Sequence, residues 1–165
     1  MTGPKFSFDK PGKYVGQPTE RPDTRRLLKG RGKFVDDIQL PRMLHAAFLR
    51  SPVAHAKIKS IDTSVAEKVK GVVKILKGTD FIGVVEPYVG VLSHLAGLRS
   101  APQMPLATDT VRWQGEPVVM VIANSRAIAE DAASEIILDL EDLPAVTNME
   151  TALNKDEHVI HSEFD

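Results

Sequence analysis

The chain has 165 residues, 42% of them hydrophobic and 26% charged, with 21 Lys and Arg against 22 Asp and Glu. That is the size and balance of one soluble globular domain, and a net charge of −1 with interspersed signs excludes electrostatic attraction to nucleic acid. The absence of cysteine excludes disulfides, Cys-ligated zinc, cysteine-held iron–sulfur clusters and thiol nucleophiles, and the lack of any apolar run of about 18 residues or leader-like N-terminus reads as a cytoplasmic chain away from membranes.

Residues 1–22 carry Pro4, Pro11, Pro18 and Pro22, a density that breaks both helix and ladder, so an extended arm is expected. Asp23 then caps a helical turn, TRRLLK, which Gly30 ends. MLHAAFLR (43–50) is almost wholly apolar and bounded by Pro41 and Pro52, the pattern of a buried strand. AKIKSID (56–62) is a second strand with one wet face. In TSVAEKVKG, Ser64 stands three residues before Glu67, a capping box that predicts a short helix stopped by Gly71. VVKIL (72–76) is a third strand and GTD a turn. FIGVVEPYVGVLSHLAGLRSAPQMPL holds glycine or proline throughout with no sustained period, so a long irregular excursion is expected.

Order returns with TVRWQ as a strand, Gly115-Glu116-Pro117 as a bend, and VVMVIA (118–123) as an unbroken apolar run suited to a strand buried on both faces. SRAIAEDAASEI places Ile128, Ala129, Ala132, Ala133, Ile136 and Ile137 at helical spacing, capped by Ser125 or Asn124. ILDLEDL is a strand closed by Pro144, and METAL (149–153) a short turn. The order predicts one compact α+β domain with a mixed sheet and two main helices, spanning 23–156 between the arm and a tail, 157–165.

No grouping of reactive side chains stands out. Gly30-Arg31-Gly32 precedes a strand rather than opening a helix, and no Lys-Ser/Thr follows, so it reads as a helix end and tight turn. Of His45, His55, His94, His158 and His161, only the last two are spaced as a local metal clip, and no carboxylate completes a set on a rigid element. His45 falls inside the apolar strand, where a core imidazole is expected. Ser51, His55 and Asp62 have the residue types of a hydrolytic triad, but G-x-S-x-G is missing and Ser51 suits the turn that Pro52 fixes. Asp36-Asp37 and Glu141-Asp142 are adjacent and would point to opposite faces. The five bases in 25–33 lack interleaved aromatics, since Tyr14, Tyr88 and Trp113 lie elsewhere. A domain without an active site of its own is expected.

Four stretches together carry more information than any of these: 25–66, beginning RRLLKGRGKFVDDIQLPRMLHAAFLRSPVAHA; VKGVVKILKGTDF (69–81); PLATDTVRWQGEPVVMVIANSRAIAEDAASEI (105–136); and LPAV (143–146). In this order and spacing they resemble the α/β hammerhead domain that begins the large, molybdopterin-binding subunit of the molybdenum hydroxylases, which include xanthine dehydrogenases, aldehyde oxidases and aerobic carbon monoxide dehydrogenases. Tyr14-Val15-Gly16 and VIHSEFD fit as well. Arg42 stands where the turn before Met43 often has glycine, so that turn is expected to manage without positive φ. Trp113 replaces a common tyrosine, and LEDLP lacks a common aromatic and further proline.

The resemblance implies that the 30–56 window is a structural signature. It also implies that catalysis, by molybdenum on a pterin with iron–sulfur clusters and FAD elsewhere in the complex, belongs to sequence after a hammerhead and hence beyond Asp165. No catalytic, cofactor-binding or metal residue is carried over. The expected partners are the molybdenum-binding region of a large subunit and iron–sulfur and FAD subunits, with no nucleic acid and no membrane, and the expected role is scaffold and docking. Candidate interface residues are Arg31, Arg50, Gly115, Glu116 and Pro117. The alternative is a free-standing binding or assembly module on the same fold, with its ligand at the 82–104 loop.

Overall fold

The computed structural model describes residues 21–90, 94–154 and 158–161. Nearly all of the expected arm and the end of the tail therefore lie outside the described residues. The chain divides into two compact units, one ending at Pro41 and one beginning at Arg42.

In the first unit, α1 (Thr24–Leu28) is a single turn and a half with no buried residue. Asp23 stands at its N-cap, but its side chain takes Arg26 Nη2 at 3.1 Å instead of a backbone amide. The helix ends at Gly30, with φ +67°. The Arg31 amide donates to the Arg26 carbonyl (2.9 Å) and the Gly30 amide to the Leu27 carbonyl (3.0 Å), the paired bonds of a glycine-terminated helix. Gly30-Arg31-Gly32 is thus a helix end. A 3-10 turn, Val35–Asp37, follows, where the Phe34 amide donates to Asp37 Oδ2 at 3.0 Å.

The second unit holds β1 (His45–Arg50), β2 (Ala56–Asp62), β3 (Val72–Lys77), β4 (Thr110–Val111), β5 (Pro117–Ala123), α2 (Arg126–Ser134) and β6 (Ile137–Asp142). The expected mixed sheet is instead two three-stranded sheets, ordered β1-β5-β3 and β4-β2-β6, with every pairing antiparallel. The reason is the place of β5. It lies between β1 and β3 and runs against both, so those two, parallel to each other, never pair. TVRWQ shortens to β4 because the chain turns after Val111.

Ser125 caps α2, its Oγ accepting from the Ile128 amide at 3.3 Å. The helix buries Ala129, Ala132 and Ala133 against one face of the β1-β5-β3 sheet, where Ala47, Leu49, Val119, Val121 and Ile75 meet them in the core. Small residues on the helix let it lie close to a valine-rich strand. Ile137, counted above on the helical face, starts β6 and is 63% exposed, because the helix stops three residues sooner. The helix expected over 63–71 is reduced to a 3-10 turn, Ala66–Lys68. Val65 stands at its N-cap with no side-chain capping bond; Glu67 Oε1 instead accepts from Thr63 Oγ1 at 2.7 Å, and the Ser64 amide is held by Asp62 Oδ1. Val69 is already extended, which leaves no room for a second turn before β3.

Two backbone details carry measurable cost. Arg42 does adopt positive φ, +60°, so the turn before Met43 keeps the left-handed geometry without glycine. A Cβ on Gly78 would sit 2.1 Å from the Ala107 carbonyl oxygen, where backbone meets backbone and neither side yields. In urea denaturation, Gly78→Ala is expected to cost about 3 kcal/mol or more. Arg42→Gly relieves about 1–2 kcal/mol of left-handed strain against about 0.5–1 kcal/mol of added chain entropy, so a gain of up to about 1.5 kcal/mol is expected.

Candidate functional site: the corner between the sheets

At one place the chain passes twice between the two sheets, from β1 to β2 and from β4 to β5. Pro52 has no N–H to continue a ladder, and Ser51 just before it is 3% exposed. The Ser51 amide donates to the Glu116 carbonyl, and the Gly115 amide donates to the Ser51 carbonyl, both at 2.8 Å. The Ser51 side chain closes the turn itself: Oγ donates to the Val53 carbonyl (2.7 Å) and accepts from the Val53 amide (3.2 Å). Across the corner, residues 113–116 form a turn in which the Glu116 amide donates to the Trp113 carbonyl at 3.2 Å. Gly115, at φ +92°, occupies the position where such a turn needs positive φ.

Arg50 reaches over this junction. Its Nη1 donates to the Gly115 carbonyl at 2.9 Å, and its guanidinium carbon lies 5.6 Å from the centre of the Phe48 ring, within the range of a cation–π contact. The structure therefore gathers Arg50, Gly115, Glu116 and Pro117 into one corner, with Arg50 paired to Pro117 in the sheet register. Arg31 belongs to the other unit, where it is exposed.

Glu116 turns inward. It is 8% exposed, and its Oε2 accepts from the Arg112 amide at 2.5 Å. Burial raises its pKa above the ordinary glutamate value, opposed by the Arg112 and Trp113 amides and by the Arg112 and His161 charges. Glu116, Arg112, Trp113, Gln103, Asp109 and His161 line a cleft of about 130 Å³ beside the corner. Arg112 Nε is buried there without a hydrogen-bond partner. No sequence pattern flagged Arg112, because a strand was expected over TVRWQ. The 82–104 excursion meets the cleft at Gln103, which exchanges both backbone bonds with Tyr88.

His55 and Asp62 are likewise committed to backbone. His55, 8% exposed, donates Nδ1–H to the Pro144 carbonyl at 2.8 Å. Asp62 holds the Ser64 amide, so Ser51, His55 and Asp62 form no relay. Among the described residues no three His, Asp or Glu side chains group to hold a metal, and no helix is long and apolar enough to cross a membrane. A pterin with its phosphate-bearing arm does not fit the corner cleft, which is too small and presents the carboxylates of Asp109 and Glu116.

The fold is an α+β domain of two antiparallel three-stranded sheets that exchange chain at this corner, and its relatives identify the family. The family model for "Aldehyde oxidase and xanthine dehydrogenase, a/b hammerhead domain" matches residues 29–144. The chain is 44% identical over 135 residues to the nicotine 6-hydroxylase large subunit of Paenarthrobacter nicotinovorans, covering 80% of this chain and 16% of that one. It is 34% identical over 150 residues to the carbon monoxide dehydrogenase large chain of Afipia carboxidovorans, covering 91% and 18%. The crystal structure of quinoline 2-oxidoreductase from Pseudomonas putida 86 superposes with a TM-score of 0.77 at 42% identity, covering 84% and 18%. The chain belongs to the aldehyde oxidase and xanthine dehydrogenase hammerhead family, and it spans 16–18% of the length of these curated relatives.

Glu116 gives the corner a pH signature. With its folded pKa raised, the folded state retains a proton that the unfolded state has released. Its contribution is fully present below the unfolded glutamate value, about 4.3, and is lost as pH rises through the folded value. Glu116→Gln keeps an oxygen for the Arg112 amide and removes the titration. Melting curves between about pH 4 and 7 are expected to show the variant gaining on wild type as pH rises; a constant gap would mean that Glu116 titrates as in the unfolded chain.

Proposed function

We propose that this chain is a non-catalytic scaffold and docking domain of a molybdenum-dependent hydroxylase or dehydrogenase large subunit, of the xanthine dehydrogenase, aldehyde oxidase and carbon monoxide dehydrogenase type. The observation that carries this is the coverage: most of the chain aligns with about a sixth of several large subunits, two of them named for carbon monoxide dehydrogenase and one as a xanthine dehydrogenase molybdenum-binding subunit. The commitment of Ser51, His55, Asp62 and Glu116 to backbone amides and carbonyls supports a structural role.

The task in this reading is geometric. Electron transfer between a molybdenum-pterin group, iron–sulfur clusters and FAD depends on fixed distances, and a rigid domain that holds polypeptides in register contributes without touching a substrate. The partners are the molybdenum-binding region of the large subunit and the iron–sulfur and FAD subunits. Arg50, set by Gly115 and by the bend through Glu116 and Pro117, and Arg31 on the first unit are the contacts we assign.

Tagged chain recovered from its native cell extract is expected to bring with it a pterin-binding polypeptide, an iron–sulfur polypeptide and molybdenum, read by mass spectrometry and metal analysis. Arg31→Glu and Arg50→Glu are each expected to lower that recovery about tenfold, the loss of about 1.4 kcal/mol of association free energy. A clean monomer with neither partner nor metal would overturn the proposal.

A further inference from the structure

The β1-β5-β3 sheet has two faces, and only one is accounted for by the core. The register sets the other. Ala46 faces Ile122 and Phe48 faces Met120 across β1 and β5, while Lys74 faces Ile122 and Leu76 faces Met120 across β3 and β5. Residues opposed in an antiparallel ladder share a face, so Ala46, Phe48, Ile122, Met120 and Leu76 form one apolar surface opposite α2. None of the five packs into the core cluster. Ala46 is exposed, Phe48 is 43% exposed, and the other three are half-buried. The strand expected to be buried on both faces is thus fully covered on one only.

The rim of this surface is cationic. Arg50 lies at one end, its guanidinium over Phe48 and tied to the Gly115 carbonyl, and Lys74 lies on β3. No acidic residue occupies these register positions, although the unit from Arg42 onward has twelve Lys and Arg against seventeen Asp and Glu. An aromatic centre with a pre-set arginine beside it is the anatomy of a binding hot spot. Two copies meeting through this face about a two-fold axis would bring together two surfaces whose rim charges, Arg50 and Lys74, are both positive. The large subunits that match this chain are five to six times longer than the part it covers, so most of such a polypeptide is available as occupant.

We infer that the outer face of the β1-β5-β3 sheet seats the remaining polypeptide of a large subunit, through an apolar segment that brings a carboxylate to Arg50. This rests on the docking role proposed above and names the surface that performs it.

The test uses the full chain and the remainder of the nicotine 6-hydroxylase large subunit of Paenarthrobacter nicotinovorans, produced separately without the 135 residues that match this chain. Wild type and Lys59→Glu, a change on β2 in the other sheet, are expected to co-elute with that polypeptide. Phe48→Asp and Arg50→Glu are each expected to reduce recovery at least tenfold. Circular dichroism and urea midpoints establish that each variant is folded, and Phe48→Ser replaces Phe48→Asp if the latter is not. Undiminished recovery with folded Phe48 and Arg50 variants overturns the assignment of this face while leaving the docking role standing. Failure of wild type to co-elute overturns the docking role and the face together. A wild-type dimer that Phe48→Asp dissolves makes the occupant a second copy and overturns the inference.

Discussion

Four backbone groups at the corner hold the second unit together: the amide of Ser51 on the carbonyl of Glu116, and the amide of Gly115 on the carbonyl of Ser51. Through them the chain leaves one sheet and enters the other at two points in space that are one point in the fold. Pro52 stops the β1 ladder and the 113–116 turn starts β5, so the two exchanges are mutually dependent. Without the pairing, β1 and β5 would have no common end to their register, and the core valines on β5 would not be presented to α2. Each of these groups would be costly to bury unpaired, so the corner is determined by hydrogen-bond accounting as much as by packing.

The corner also decides which side chains remain for contact. Glu116 follows its carbonyl inward and is consumed by the Arg112 amide, while Arg50, one residue before the exchange, is held outside by the Gly115 carbonyl. A flexible arginine loses much side-chain entropy when it binds; one already tied to a carbonyl and laid over Phe48 loses less. The same geometry that closes the fold thereby presets a cation at the edge of an apolar sheet face.

Family features that looked like chemistry in the sequence resolve into backbone needs. Gly30 ends a helix, Ser51 ties its own turn, and His55 anchors the Pro144 carbonyl where the last strand closes. Arg42 is instructive in the opposite direction. Its φ of +60° is a left-handed turn held by a residue with a Cβ, at a cost the rest of the structure carries.

The strands, the alanine face of 126–134 with its Ser125 cap and the glycine that ends α1 were legible in the sequence, because each depends on residues within a turn or two of one another. The hammerhead family was legible too, from the order and spacing of four stretches. The sheet assignment was not: nothing local says that β5 inserts between β1 and β3, or that β1 and β2, five residues apart, belong to different sheets. Glu116 could be read as a surface charge until the fold turned it inward, and VVMVIA as buried twice over until Met120 and Ile122 proved only half-buried. Local chemistry determines which elements form and where they stop. Which faces meet is decided by long-range pairing, where one buried hydrogen bond at the corner outweighs the preference of any single residue.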